Sequence, residues 1–328
     1  MRLAAFVAER PQRDRRGAGG VRALILSLVV AASVAHHGAG WATAADPSPP
    51  VAETLQPLLT TSELAVGQNR VAFGLLKGDQ LLDGATVSVR VYDIGQGPPQ
   101  LVAARPAVYH ALEVVEQGRR VHIHPDGARH LHDAATDVRG IYVAQVSFDR
   151  PGPWGLEIAA QRGDEPVGST RLSVAVLDAP RVPAVGSPAP RSPNLVASDV
   201  GDLRAIDSSD PPDPRLHQTR IVDAIAQGQP QVIVFATPRY CASRICGPVL
   251  DVVRSLIPTY GSRVAFIHQE IWHGAPGREF SPTVQAWNLQ SEPWIFVVDG
   301  RGLIRARFEG LTTRGELDLA LRTMLGPE

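Results

Sequence analysis

The chain has 328 residues, of which 44% are hydrophobic and 20% charged, with a formal net charge of -1. That length exceeds the needs of one ordinary domain, and the composition is that of a folded globular protein, which excludes a disordered chain. The near-zero charge excludes a nucleic-acid binder built on bulk positive charge, and two cysteines exclude both a disulfide framework and a four-cysteine zinc site.

Residues 1–44 read as a secretory signal peptide. Six arginines, Arg2, Arg10, Arg13, Arg15, Arg16 and Arg22, stand against only Glu9 and Asp14. An apolar run from Ala23 to Ala35 follows, and Ala42-Thr43-Ala44 supplies a small-residue cleavage site. The run falls short of the ~20 residues a membrane span needs, so no stable span is expected after cleavage; an uncleaved N-terminal anchor is the alternative. Removing this segment takes away four net positive charges and leaves the mature chain at -5. An exported, periplasmic or otherwise extracytoplasmic protein works in an oxidising compartment, and this is the expectation here.

From 52 to 178 the pattern has period two. Val87, Val89 and Val91 alternate with Ser88, Arg90 and Tyr92; Tyr142, Ala144, Val146 and Phe148 do the same, as do Leu172, Val174 and Val176. Gly and Pro clusters separate the runs, which predicts an all-β domain of antiparallel strands in a sandwich with one face of each sheet buried. Residues 140–158, GIYVAQVSFDRPGPWGLEI, read as strand, tight Pro-Gly turn and strand carrying Trp154. This stretch resembles a hairpin of immunoglobulin-like domains in bacterial exported proteins.

Residues 179–200 form a proline-rich linker, with Pro180, Pro183, Pro188, Pro190 and Pro193. Over 201–328 the grammar changes. A helix is predicted at 216–228, a buried strand at 231–237, an amphipathic helix at 247–261 and a strand at 264–271. A short helix at 282–289, a hairpin across Gly300-Arg301-Gly302 and a last helix at 314–325 complete an α/β domain with a mixed sheet.

The segment VIVFATPRYCASRICGPVLDVV places Cys241 just past the buried strand and Cys246 at the mouth of the helix. Here the chain resembles the thioredoxin superfamily, in its exported TlpA-type and AhpC/TSA-like branches. The likeness includes Val185-Gly186-Ser187-Pro188-Ala189-Pro190, similar to that branch's opening segment, and Ser291-Glu292-Pro293-Trp294. It implies a thioredoxin-like fold, a cis Pro293 facing the cysteines, and thiol–disulfide exchange with protein thiols or disulfides as partners and no required cofactor. The spacing departs from Cys-x-x-Cys: four residues separate the pair, and Val249 stands where Cys246-Gly247-Pro248 would be followed by a second thioredoxin cysteine. Residues five apart on a regular helix point ~140° apart, so Cys241 must lie in the loop, or the first turn must unwind, if the two are to pair. The same spacing occurs in Q-type peroxiredoxins, which makes thiol peroxidase an alternative, although Thr237 lies four residues before Cys241 where three are usual. A purely structural staple is the other alternative, and closing so short a loop contributes only about 2 kcal/mol. Arg239 and Arg244 flank the site, and the helix from Cys246 adds a positive dipole end, so a thiolate is favoured. Of the two sulfurs, Cys241 in the exposed turn is expected to attack and Cys246 to resolve.

A second constellation, VHIHPDGARHLHD, holds His122, His124, His130 and His132. With Asp126-Gly127-Ala128 as a hairpin turn, His124 would face His130 and His122 would face His132, all on one side, a set that suits copper or zinc. A solvated polar loop is the alternative. Copper binding or delivery would be a non-enzymatic function by analogy with the SCO copper chaperones, with His268 or His273 as the distant histidine. His268 and Glu270 otherwise read as packing and surface residues.

Overall fold

The structure is a computed structural model that describes residues 55–112, 139–241, 243–274 and 279–326, and the backbone of 119–123 and 129–133. The predicted signal peptide lies outside the described residues. Among those described, no helix is long and apolar enough to cross a membrane.

The first domain is all β. Its strands are β1 (Leu55–Leu59), β2 (Leu64–Ala65), β3 (Gly67–Lys77), β4 (Gln80–Leu81), β5 (Thr86–Asp93), β6 (Gln100–Ala111), β7 (Arg119–Ile123), β8 (Arg129–Asp133), β9 (Gly140–Phe148), β10 (Gly152–Arg162) and β11 (Glu165–Leu177). Nine of them form one curled sheet in the order β1-β3-β9-β6-β5-β10-β11-β2, with β4 beside β3, while β7 and β8 form a separate two-stranded pair among the described residues. The curl brings one end of this path to the other: a Cβ on Gly168 of β11 would lie 3.7 Å from Leu55 of β1. The strands thus run in one continuous sheet and not in two separately paired ones. The period-two runs fill its core as predicted, with Val87, Val89, Val91, Tyr142, Ala144, Val146 and Phe148 all buried. On the outer face, Glu157 stands directly opposite both Arg90 and Arg171 across its two neighbouring strands and accepts from each, at 2.8 and 2.6 Å.

The stretch 140–158 is not a paired hairpin. β9 bonds to β3 and β6, whereas β10 bonds to β5 and β11, so the Pro-Gly turn carries the chain from one part of the curled sheet to another. Phe148 and Trp154 then meet across the core with ring centroids 5.2 Å apart, and Trp154 Nε1 donates to the Arg150 carbonyl. Apolar side chains on both strands satisfy this arrangement as readily as a hairpin, which is why the sequence pattern alone did not separate them.

The second domain has the predicted order: α1 (Ile221–Ala226), β12 (Gln231–Ala236), α2 (Cys246–Tyr260), β13 (Ala265–Glu270), α3 (Pro282–Ala286), β14 (Trp294–Val298), β15 (Ile304–Glu309) and α4 (Arg314–Leu325). The sheet order is β13-β12-β14-β15, with β13 parallel to β12 and the other two pairings antiparallel. Every residue of β12 and β14 is buried, as central strands covered on both faces require. Val232, Val234 and Ala236 pack toward α2 and α4, while Ile233 and Phe235 pack with α1 and α3. The predicted helix at 216–228 is shorter than expected. Its first part is a 3-10 turn, Pro214–Leu216, capped by Asp213, and the α-helix begins only at Ile221, whose N–H donates to Asn194 Oδ1 at 2.7 Å.

Both domains lie in one compact unit, Ala52–Glu328. Ala72, Leu112, Ile141 and Val143 of the β domain share a core with Phe308, Leu311, Leu317 and Leu321. β3 and β9 therefore bury both faces, one inside the curled sheet and the other against the α/β domain. Arg70 locks this contact: its guanidinium pairs with Glu316 at 2.8 Å and donates to the Glu309 and Leu311 carbonyls. Part of the proline-rich segment lies along the α/β sheet. Gly186 N and Ala189 N donate to the Ile304 and Gly302 carbonyls, and Ile304 N donates to Ser187.

Candidate functional site

Strand β12 ends at Ala236, and the chain then turns through Thr237–Ile245 before α2 starts at Cys246. Cys241 lies in this loop, as the spacing requires, and is disulfide-bonded to Cys246 with Cα atoms 6.0 Å apart. The reversal occurs at Arg244, whose φ of 60° is in the left-handed region, and Arg244 N closes the turn onto the Cys241 carbonyl at 3.2 Å. Ser243 Oγ is 3.2 Å from Cys241 Sγ. Cys241 is buried and not in an exposed turn as expected, because the loop packs into the core beside α2; it retains 9% of its surface, whereas Cys246 is fully enclosed. Ile245 caps α2 without a side-chain hydrogen bond, so the first-turn N–H groups and the positive dipole end are left to the Cys246 region.

Trp294 pairs with Phe235, which sets Pro293 beside the end of β12, where the cysteine loop departs. Pro293 is buried, its peptide bond with Glu292 is cis, and its carbonyl accepts from Gly310 N. Burial, and next the charge of Glu270, raise the Glu292 carboxyl above its ordinary value. Glu270 is buried and not a surface residue as the alternation suggested. It accepts from Ser208 N and Ile271 N at 3.0 and 2.9 Å. No protein family, curated protein or solved structure matches this chain. Two domains are present all the same, a curled β-sheet domain and an α/β domain carrying a close cysteine pair, and that pair is consistent with redox chemistry.

A second cluster went unrecognised in the sequence. Asp207, His217 and His268 are all buried, and each offers a donor atom within 4.8 Å of the others, enough to coordinate a metal ion. Asp207 Oδ2 is 3.1 Å from His217 Nε2, Asp207 Oδ1 is 3.5 Å from His268 Nδ1, and His268 Nε2 is 3.0 Å from the Ala236 carbonyl. Burial would raise Asp207, but the charge of nearby His268 and hydrogen bonds with His217 and Ser209 hold it well below the carboxylate range. Burial lowers His217; it also opposes the charged form of His268, yet the charge of Asp207 prevails there and raises it. The only legible signals were the Asp and Pro turn residues around 207–214, which announce a loop and not a ligand set.

The histidine-rich hairpin is present as β7 and β8, in a different register from that expected. His122 pairs with His130, and His132 with Arg120. The pairing thus differs by two positions from the expected one; the connection itself lies outside the described residues. His124 lies outside the described residues.

Proposed function

We propose that the protein is an exported thiol–disulfide oxidoreductase of thioredoxin-like type that acts through Cys241 and Cys246 on protein thiols or disulfides. The observation that carries this reading is the bridge between a strand-to-helix loop and the first residue of the following helix, with Pro293 at the adjoining strand end. The sheet order β13-β12-β14-β15, with one parallel pair and then an antiparallel hairpin, supports the fold reading.

In the reducing direction, the Cys241 thiolate attacks one sulfur of a substrate disulfide. A mixed disulfide forms and the other substrate sulfur leaves as a thiolate. The Cys246 thiolate then attacks Cys241 Sγ, which closes the Cys241–Cys246 bridge and releases the second substrate thiolate. Two electrons pass from the protein to the substrate, and the released thiolates take protons from solvent. The reverse sequence oxidises a substrate dithiol. Cys241 is assigned the attack because it is the less enclosed of two buried residues and lies in the loop, and Cys246 resolves from the helix start.

Trapping in the exporting cell tests this assignment. A Cys246→Ser variant accumulates mixed disulfides with substrate proteins through Cys241, and Cys241→Ser accumulates almost none. The opposite pattern reassigns the nucleophile to Cys246, and no adduct in either variant contradicts the proposed activity.

A further inference from the structure

We propose that Asp207, His217 and His268 form a binding site for a divalent transition-metal ion, with zinc the ion best suited to two imidazoles and a carboxylate. The site is distinct from the cysteine pair and from the histidine-rich hairpin, and its argument does not depend on the redox reading. Three observations carry it. First, the spacing fits: a tetrahedral zinc with bonds of about 2.0–2.2 Å sets neighbouring ligand atoms roughly 3.3–3.5 Å apart. His217 Nε2 lies 3.1 Å from Asp207 Oδ2 and His268 Nδ1 lies 3.5 Å from Asp207 Oδ1, and one donor atom from each of the three residues lies within 4.8 Å of the others. Second, the buried Nδ1 of His268 has no hydrogen-bond partner, a costly condition for a group removed from water. This nitrogen is aimed at Asp207, at a distance beyond a good hydrogen bond, whereas His217 faces Asp207 through Nε2. Third, the ligands are held from outside. His268 Nε2 is fixed by the Ala236 carbonyl, and Asp207 accepts from Ser209 N, Ser209 Oγ and Asp213 N at 2.8, 2.5 and 3.2 Å. Such outer hydrogen bonds orient metal ligands.

The chain order gives the site a structural consequence. Asp207 and His217 belong to the loop segment before α1, whereas His268 belongs to β13. An ion bound to all three would clip that segment onto the sheet, next to the strand end from which the Cys241 loop departs. Because the three residues are 0–1% exposed, an ion would enter during folding or when the segment lifts.

The test measures zinc in the full chain purified after export with its disulfide oxidised, so that no thiolate is offered. The same protein is also refolded from denaturant with zinc or cobalt(II). The expected result is about one equivalent of zinc per chain. Cobalt should give visible d–d bands of a nitrogen and oxygen site without sulfur charge transfer. The ion should be retained when His122, His124, His130 and His132 are all replaced by alanine, and lost in His217→Gln, which preserves volume and a polar contact to Asp207; circular dichroism checks that the variants fold. Wild-type protein that folds yet holds less than a tenth of an equivalent under either loading overturns the proposal. So does an equivalent that survives His217→Gln or disappears with the four hairpin histidines.

Discussion

Glu316 is a single residue whose charge state the structure ties to the whole fold. Burial alone would raise its carboxyl; the charge and hydrogen bonds of Arg70, the charge of His110 and the Thr313 N–H outweigh that and hold it below its ordinary value of 4.5. A folded-state value below the unfolded one contributes stability that is complete above pH 4.5 and is lost as pH falls through the folded value. Glu316→Gln should therefore flatten the acid limb of the stability profile below pH 4.5. At neutral pH it should cost about 1–3 kcal/mol, since the partly buried Arg70 guanidinium loses its counter-charge and keeps only the Glu309 and Leu311 carbonyls as acceptors. Urea unfolding from pH 3 to 7 measures both, and an unchanged acid limb would contradict the pairing. At this scale the sequence was informative only where chemistry is rare. Two cysteines in the whole chain single themselves out, and their spacing alone required Cys241 to sit in the loop. Asp207 and His217 could not be found that way, because they come from a loop and meet His268 only through the fold. The histidine-rich stretch is conspicuous in sequence, but alternation alone does not set its register, and the strands pair two positions away from the expected one.

Elements in the α/β domain were legible because each obeys one period and is bounded by Gly or Pro. α4 was predicted at 314–325 and forms at Arg314–Leu325, helped by a Thr313–Glu316 capping box. α1 was overestimated because Leu216 and His217 continue the apolar rhythm while Asp213, Pro214 and the Asn194 contact restart the backbone. The mispaired reading of β9 and β10 has a related cause: strand pattern specifies which face is buried, and pairing partners are set by what lies across the core. Gly310 shows how tightly two elements approach. Its φ is +73°, and a Cβ there would come within 2.7 Å of the Thr60 side chain after β1, while its N–H holds the Pro293 carbonyl. Gly310→Ala should destabilise by about 1–3 kcal/mol through strain and clash. Adding Thr60→Gly should recover only the side-chain part of the clash, since the Thr60 carbonyl remains 3.0 Å from the new Cβ. Denaturant midpoints of the two variants decide it, and an unperturbed Gly310→Ala protein would show that the approach is looser than drawn.

At the level of the whole molecule, the composition indicated two domains but said nothing of their union. Ile141 and Val143 alternate between faces with Tyr142 and Ala144, so in sequence the strand looks merely hydrophobic throughout. In the structure that second apolar face is the contact with the α/β domain. The β domain also reaches the neighbourhood of the cysteine loop. Ser62 N donates to Glu309 at 2.8 Å, and the same carboxylate accepts from Ser291, two residues before Pro293. The two domains thus form a single framework, and the turn carrying Cys241 is held at both ends and packed into the core of the α/β domain.

The most direct test of the central claim is the redox equilibrium of that bridge. The full mature chain is incubated in glutathione buffers of graded potential, quenched with acid, and its free thiols are counted. A redox-active pair predicts cooperative reduction of both cysteines, two thiols appearing together, at potentials above about -300 mV, within reach of the glutathione pool. A bridge that stays closed at and below that potential, in protein that remains folded, would make Cys241–Cys246 a structural staple and contradict the account.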